Sequence, residues 1–168
     1  GRPDGWQKAL SLWPVAQKLG ELLGMKVVSI EDKLPDYPVP HVNFLTADIT
    51  KKNLAKLSCD LPPGQILFLE NMRFYPQEGK NDKKFSRLLA GFGDLYVDDA
   101  FSVAHRTESS VVGVAEALPH YAGISLMKEI SSLNQVLRNP AQPLIVLMGG
   151  IKIDDKVATL ENLLPDAH

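Results

Sequence analysis

Pro62-Pro63-Gly64-Gln65-Ile66-Leu67-Phe68-Leu69-Glu70-Asn71-Met72-Arg73-Phe74 is the stretch on which the fold turns. A sharp break at Pro62-Pro63-Gly64 leads into a continuous apolar run, Ile66 to Leu69, the pattern of a parallel strand covered by helices on both faces. Polar residues come directly after it and place Arg73 just past the end of a buried strand.

The same alternation extends in both directions. Upstream, Leu12, Val15, Ala16, Leu19, Leu22 and Leu23 recur at helical spacing from Ser11, a capping residue, to Gly24, which ends the helix; Pro14 is tolerated near its start. Lys26 to Ile30 reads as a strand rich in β-branched residues, Leu34 to Pro40 as a loop and Val42 to Leu45 as a brief strand, while Thr50 caps a helix over Lys51 to Leu57. Downstream, Asp82 to Ala90 is a helix, Leu95 to Val97 the next buried strand, and Val111 to Ala117 and Ser125 to Leu137 are further helices. Pro143 to Met148 is an apolar strand, followed through a charged turn by a helix over Lys156 to Leu164. Short apolar strands alternating with amphipathic helices predict a three-layer α/β sandwich with a mostly parallel, Rossmann-like sheet.

Composition narrows the class. The 168 residues are 45% hydrophobic and 23% charged, ordinary values for a globular chain and unlike a disordered or fibrous one. A net charge of −2 offers no bulk attraction to nucleic acid or to an anionic membrane. Cys59 stands alone, so neither an internal disulfide nor a thiolate metal site is expected, and a reducing cytoplasm fits best. No stretch reaches the apolar length of a membrane span, and no basic segment followed by an apolar one opens the chain.

In open parallel sheets ligands gather beyond the carboxyl ends of the strands, and four charged turns lie there or near the N-terminus. Arg73 follows Ile66 to Leu69. Arg106 ends the run Asp98-Asp99-Ala100-Phe101-Ser102-Val103-Ala104-His105-Arg106 after the next strand, and Arg2 sits in a Gly-Arg-Pro turn. Guanidinium forks each donate two parallel hydrogen bonds, so three of them converging would suit a small, multiply charged anion. The competing reading is that each is a solvated or salt-bridged surface group. For Asp98 and Asp99 helix capping or a structural bond is preferred to acid-base chemistry, and His105 is ranked behind the arginines. A third strand end reads Gly149-Gly150-Ile151-Lys152-Ile153-Asp154-Asp155-Lys156: close backbone approach at the glycines, two lysines four residues apart and a following helix N-terminus, an arrangement that handles phosphate without being a P-loop.

Five stretches then occur in one order: Gly1-Arg2-Pro3 with Ser11-Leu12-Trp13-Pro14-Val15-Ala16, Leu69 to Phe74, Val97 to Arg106, Val112-Gly113-Val114-Ala115, and Gly149 to Lys156. Together they resemble the phosphoglycerate kinase family over essentially the whole chain. The resemblance implies reversible phosphoryl transfer between ATP and 3-phosphoglycerate, giving 1,3-bisphosphoglycerate and ADP in glycolysis, with Mg2+ on the nucleotide and none held by the protein alone. By that resemblance Arg2, Arg73 and Arg106 bind the substrate, Arg2 and Lys152 take part in catalysis, and Gly150, Lys152 and Lys156 face the nucleotide's phosphates. Residues 1–124 correspond to the 3-phosphoglycerate-binding domain without its first strands, 125–140 to the interdomain helix and 141–168 to the start of the nucleotide domain. The resemblance also implies a cytoplasmic, monomeric parent enzyme without nucleic-acid or membrane partners.

Departures are visible. The family usually has Asn at the position of Asp98, often His at that of Glu108, commonly Ala at Ile151, and often Ser or Ala at Asp154; the added acidic side chains are expected to point outward. The family's upstream substrate loop and most of its nucleotide domain do not occur in these residues, so the chain alone is expected not to turn over. It is expected to self-associate, to recruit other segments, or to belong to a longer polypeptide. The alternative reading is a non-catalytic anion-binding or interaction module that retains the fold.

Overall fold

The structure is a computed structural model, and it describes residues 3, 5–37, 39–51, 54–138, 140–141, 143–145 and 147. Val42, Phe44 and Leu45 have almost no solvent exposure, so the strand that carries them, β2 (His41–Leu45), is covered on both faces. It pairs in parallel with β1 (Lys26–Ile30), from Lys26↔His41 to Ile30↔Leu45, and with β3 (Ile66–Leu69), from Val42↔Ile66 to Leu45↔Leu69. The order is β1-β2-β3.

On one face of this sheet lies α1 (Trp13–Leu23), whose Trp13 meets Phe44 edge-on with ring centroids 5.3 Å apart. Pro14 sits in its first turn, and Gly24 ends it with φ of 64°, a left-handed conformation that glycine adopts without strain. On the other face Ile30 and Leu45 join Ile49, Leu54, Leu57 of α2 (Lys56–Cys59), Phe85 and Leu89 of α3 (Lys83–Ala90), and Val114 in the main apolar cluster. Helix, parallel sheet and helix make the three layers that the alternation predicts. Asp82 starts α3 by accepting from the amides of Lys84 and Phe85, both at 2.9 Å.

Four expectations need correction. Thr50 does not cap a helix over 51–57: the Asp48 carboxylate takes both its amide (2.9 Å) and its hydroxyl (2.6 Å), a local turn that competes with helix, and helical structure among the described residues begins only at Lys56. The strand read at Leu95 to Val97 is β4 (Tyr96–Asp98), and it does not extend the three-stranded sheet. Its partner is β5 (His120–Ala122), which the periodicity did not reveal, and Leu95 and Val97 are 52% and 50% exposed rather than buried. The helix read at Val111 to Ala117 starts earlier, with one π-helical turn at Ser109–Gly113 running into α4 (Val114–Ala117). Of the strand expected over 143–148, the described residues 143–145 and 147 are not in a strand, and Ile145 and Leu147 are exposed, having no strand to pair with among the described residues.

The chain divides into two compact units, one comprising residues 1–98 and 102–121, the other 99–101 and 122 onward. In the second, α5 (Ile124–Arg138) is the helix expected over Ser125 to Leu137, and Asp99 caps it by accepting from the Leu126 amide at 2.9 Å. A Cβ on Gly123 would lie 2.4 Å from the Asp99 carboxyl, so the residue before the helix must be glycine for the cap to reach. Among the described residues no helix is long and apolar enough to cross a membrane.

Candidate functional site

Strand β3 ends at Leu69, and Glu70, directly after it, anchors the turn beyond the strand. Glu70, 9% exposed, accepts from its neighbour Asn71's amide at 2.7 Å, from the Leu12 amide at 2.7 Å and from the Ser11 hydroxyl at 2.6 Å, which ties the entry of α1 to the strand end. Asn71 continues the clamp: its Nδ2 donates to the Leu10 carbonyl at 3.0 Å and its Oδ1 accepts from the Arg73 amide at 3.0 Å, turning the chain into the single 3-10 turn Met72–Phe74. Arg73 is thus held at a defined place beyond a parallel strand. Arg106 is placed by a second turn, its amide donating to the Val103 carbonyl at 2.9 Å.

The two guanidiniums meet on one carboxylate. Arg73 Nη2 donates to Glu108 Oε2 at 2.6 Å, and Arg106 Nη1 lies 3.5 Å from Glu108 Oε1. The three side chains are 24%, 32% and 11% exposed, a partly desolvated cluster in which charge-assisted bonds outweigh ordinary surface pairs. Arg106 Nε is buried and has no hydrogen-bond partner among the described residues. Beside the cluster opens a cavity of about 240 Å³ lined by Arg73, Tyr75, Glu78 and Glu108 among others.

Glu78, 2% exposed, forms part of that lining and accepts from the Ser110 amide at 3.0 Å and its hydroxyl at 2.5 Å, so this buried carboxylate occupies the start of the π-helical turn. Burial, with Asp48 and Glu70 nearby, pushes the Tyr75 hydroxyl above its usual range despite the hydrogen bond that it accepts from the Ile49 amide. A larger, mostly apolar cavity of about 740 Å³ opens beside Trp13, Phe44 and Glu70, and no arginine lines it among the described residues.

Two of the three sequence-predicted arginines therefore meet on one carboxylate, and of these two Arg73 lines the cavity. The third, Arg2, lies outside the described residues, as do Gly150, Lys152, Lys156, Ile151 and Asp154. His105 is exposed in the turn before Arg106. Asp99 is a helix cap rather than an acid or base, and the Leu126 amide and the Ser125 side chain hold its carboxyl below the usual range. Glu108 overturns the expectation that it points outward: two cations draw it in. Sequence reading also missed the roles of Glu70 and Glu78. The only trace of the first is an acid immediately after a strand end, and the second depends on a contact between residues 32 positions apart. Among the described residues no three His, Cys, Asp or Glu side chains are grouped to hold a metal. What the arrangement can do is grip an anion with two forks.

Comparison with known proteins gives this geometry a context. The family model for phosphoglycerate kinase matches residues 1–168. A phosphoglycerate kinase from Gloeobacter violaceus is 42% identical over 165 residues, 98% of this chain and 37% of that protein. One from Moorella thermoacetica is also 42% identical over 98% of this chain and 38% of that protein. The phosphoglycerate kinase structure from Coxiella burnetii superposes with a TM-score of 0.71 at 31% identity, covering 99% of this chain and 38% of that one. The chain thus spans well under half the length of these relatives.

Proposed function

The chain belongs to the phosphoglycerate kinase family, and from that premise we propose that it supplies the acid-binding side of a cytoplasmic kinase. In the proposed reaction a carboxylate oxygen of 3-phosphoglycerate attacks the γ-phosphorus of Mg2+-bound ATP. The bond from that phosphorus to the β,γ-bridging oxygen breaks, and 1,3-bisphosphoglycerate and ADP leave; the glycolytic direction is the reverse. Arg73 and Arg106, with Arg2, hold the 3-phosphate and neutralise the acyl phosphate. Lys152 follows the moving phosphoryl group, and Gly150 and Lys156 face the nucleotide's phosphates. Residues 1–124 bind the acid, 125–140 form the connecting helix and 141–168 begin the nucleotide side. Such transfer asks little covalent chemistry of the protein and depends on cations placed around the transferred oxygens, which two arginines on separate turns are built to be.

The observation that carries this reading is the convergence of Arg73 and Arg106 on one carboxylate, at 2.6 and 3.5 Å. Calorimetric titration with 3-phosphoglycerate tests it: R73A and R106A each abolish the binding heat, and heat that survives both substitutions refutes the site. By itself the 168-residue chain does not turn over. A coupled assay of ATP-dependent phosphorylation of 3-phosphoglycerate checks this, and robust activity overturns it.

A further inference from the structure

Glu108 stands two positions after Arg106 and immediately before the π-helical turn, with its own carbonyl accepting from the amides of Val111 and Val112 at 3.1 and 2.9 Å. The backbone is therefore fixed, while the side chain reaches back to the arginines. Its grip on them is unequal. The bond to Arg73 is short, at 2.6 Å, whereas Arg106 is 3.5 Å away and its buried Nε has no hydrogen-bond partner among the described residues. A carboxylate has two oxygens to offer two forks, and one fork is left half used. A phosphate has three terminal oxygens and at neutral pH a charge approaching −2.

We propose that Glu108 is an internal competitor for the anion site: a tethered carboxylate that a multiply charged phosphate displaces and a singly charged acid does not. The proposal rests on the reading of Arg73 and Arg106 as the substrate arginines. Exchange with a free monocarboxylate replaces one carboxylate by another and forfeits the advantage of the tether, which acts as a high local concentration of ligand. Exchange with a phosphate adds negative charge between two cations and an oxygen for Arg106 Nε, while the released Glu108 regains its hydration. The apparent affinity of any acid is its intrinsic affinity multiplied by the fraction of molecules whose site is vacant, so a singly charged acid, intrinsically the weaker ligand, drops below measurable binding while a phosphate with its extra charge does not. Glu108 in this sense sets the threshold of charge that a ligand must bring to occupy the site.

The test is calorimetry on the 168-residue chain at fixed ionic strength, with 3-phosphoglycerate, inorganic phosphate and unphosphorylated glycerate as separate titrants. Glu108→Gln keeps the shape and removes the charge, and it binds 3-phosphoglycerate and phosphate roughly tenfold tighter than the parent, while glycerate acquires measurable binding. Glu108→Ala gives the same direction by removing the side chain, and thermal unfolding confirms that each variant is folded. Should neither variant fold, phosphate titrated into the parent shifts the Arg106 Nε–H resonance and releases the Glu108 carboxylate, seen in its side-chain carbon shift; a carboxylate that stays put overturns the proposal. Equal or weaker binding in folded variants, with R73A still abolishing it, reduces Glu108 to a structural partner of Arg73 and leaves the site reading intact. Binding that survives R73A and R106A defeats the site reading instead. Absence of binding in parent and variants alike also overturns the proposal, since removing the competitor then uncovers no site.

Discussion

Glu70 shows how much a single side chain can settle. Three donors from two chain segments converge on its buried carboxylate, at 2.6, 2.7 and 2.7 Å, so that β3, the approach to α1 and the turn carrying Arg73 are registered by one residue. Glu70→Ala leaves those donors without an acceptor and costs about 2 kcal/mol. The measurement is the urea midpoint, and a change below about 0.5 kcal/mol, the scatter of ordinary surface substitutions, contradicts the assignment. Glu70→Gln retains one acceptor oxygen and loses less. At this scale the placing of Arg73 just beyond a strand end was legible, because the apolar run Ile66 to Leu69 marks the strand. The glutamates were not, because a carboxylate's role is decided by which donors the fold brings to it.

Caps govern the elements. Asp82 receives two amides at the start of α3, and Asp82→Ala destabilises the first unit by about 1 kcal/mol while Asp82→Asn is nearly neutral, again read by urea unfolding. The cap of α5 is pH-dependent. Hydrogen bonds from the Leu126 amide and the Ser125 side chain lower the Asp99 pKa, so its contribution is fully present above the ordinary carboxylate value of about 4 and is lost as pH falls below that, through the lowered value. Amide exchange at Leu126 therefore quickens, relative to the neighbouring helix, as the pH is taken below about 4. In Asp99→Asn, whose side-chain oxygen still accepts but does not titrate, this pH dependence disappears; its persistence there shows that another group is responsible. Helix periodicity made α1, α3 and α5 legible within a residue or two. Short elements escaped: β5 has three exposed residues and no alternation to read, and the Asp48 turn engages Thr50, the cap on which the expected helix over Lys51 to Leu57 rested.

Over the whole molecule, the sheet is left with an unfinished edge. Among the described residues β3 pairs with β2 on one side only, and Leu95 and Val97 at β4, which the apolar pattern assigns to a buried sheet, are instead half-exposed. A free parallel edge and exposed apolar strand residues favour pairing with another chain. Sedimentation velocity at increasing concentration shows association of the 168-residue chain, and Val97→Lys, which places a charge on the exposed strand, reduces it. A single monomeric boundary across the concentration range contradicts the expectation. On α5 the apolar positions Met127, Ile130, Leu133 and Val136 are likewise between 36% and 48% exposed, the amphipathic pattern being present without a covering layer among the described residues.

By itself the sequence determined the α/β layering, the three parallel strands, the long helices and the family, because apolar periodicity and the order of short motifs are properties of local chain chemistry. Tertiary structure alone decided that β4 leaves the main sheet, that Glu70 and Glu78 are buried acceptors, and that Glu108 turns inward between Arg73 and Arg106. Each of these depends on long-range partners, and the electrostatic energy of a side chain is set by the charges and donors that folding brings within a few ångströms, whatever their separation along the chain.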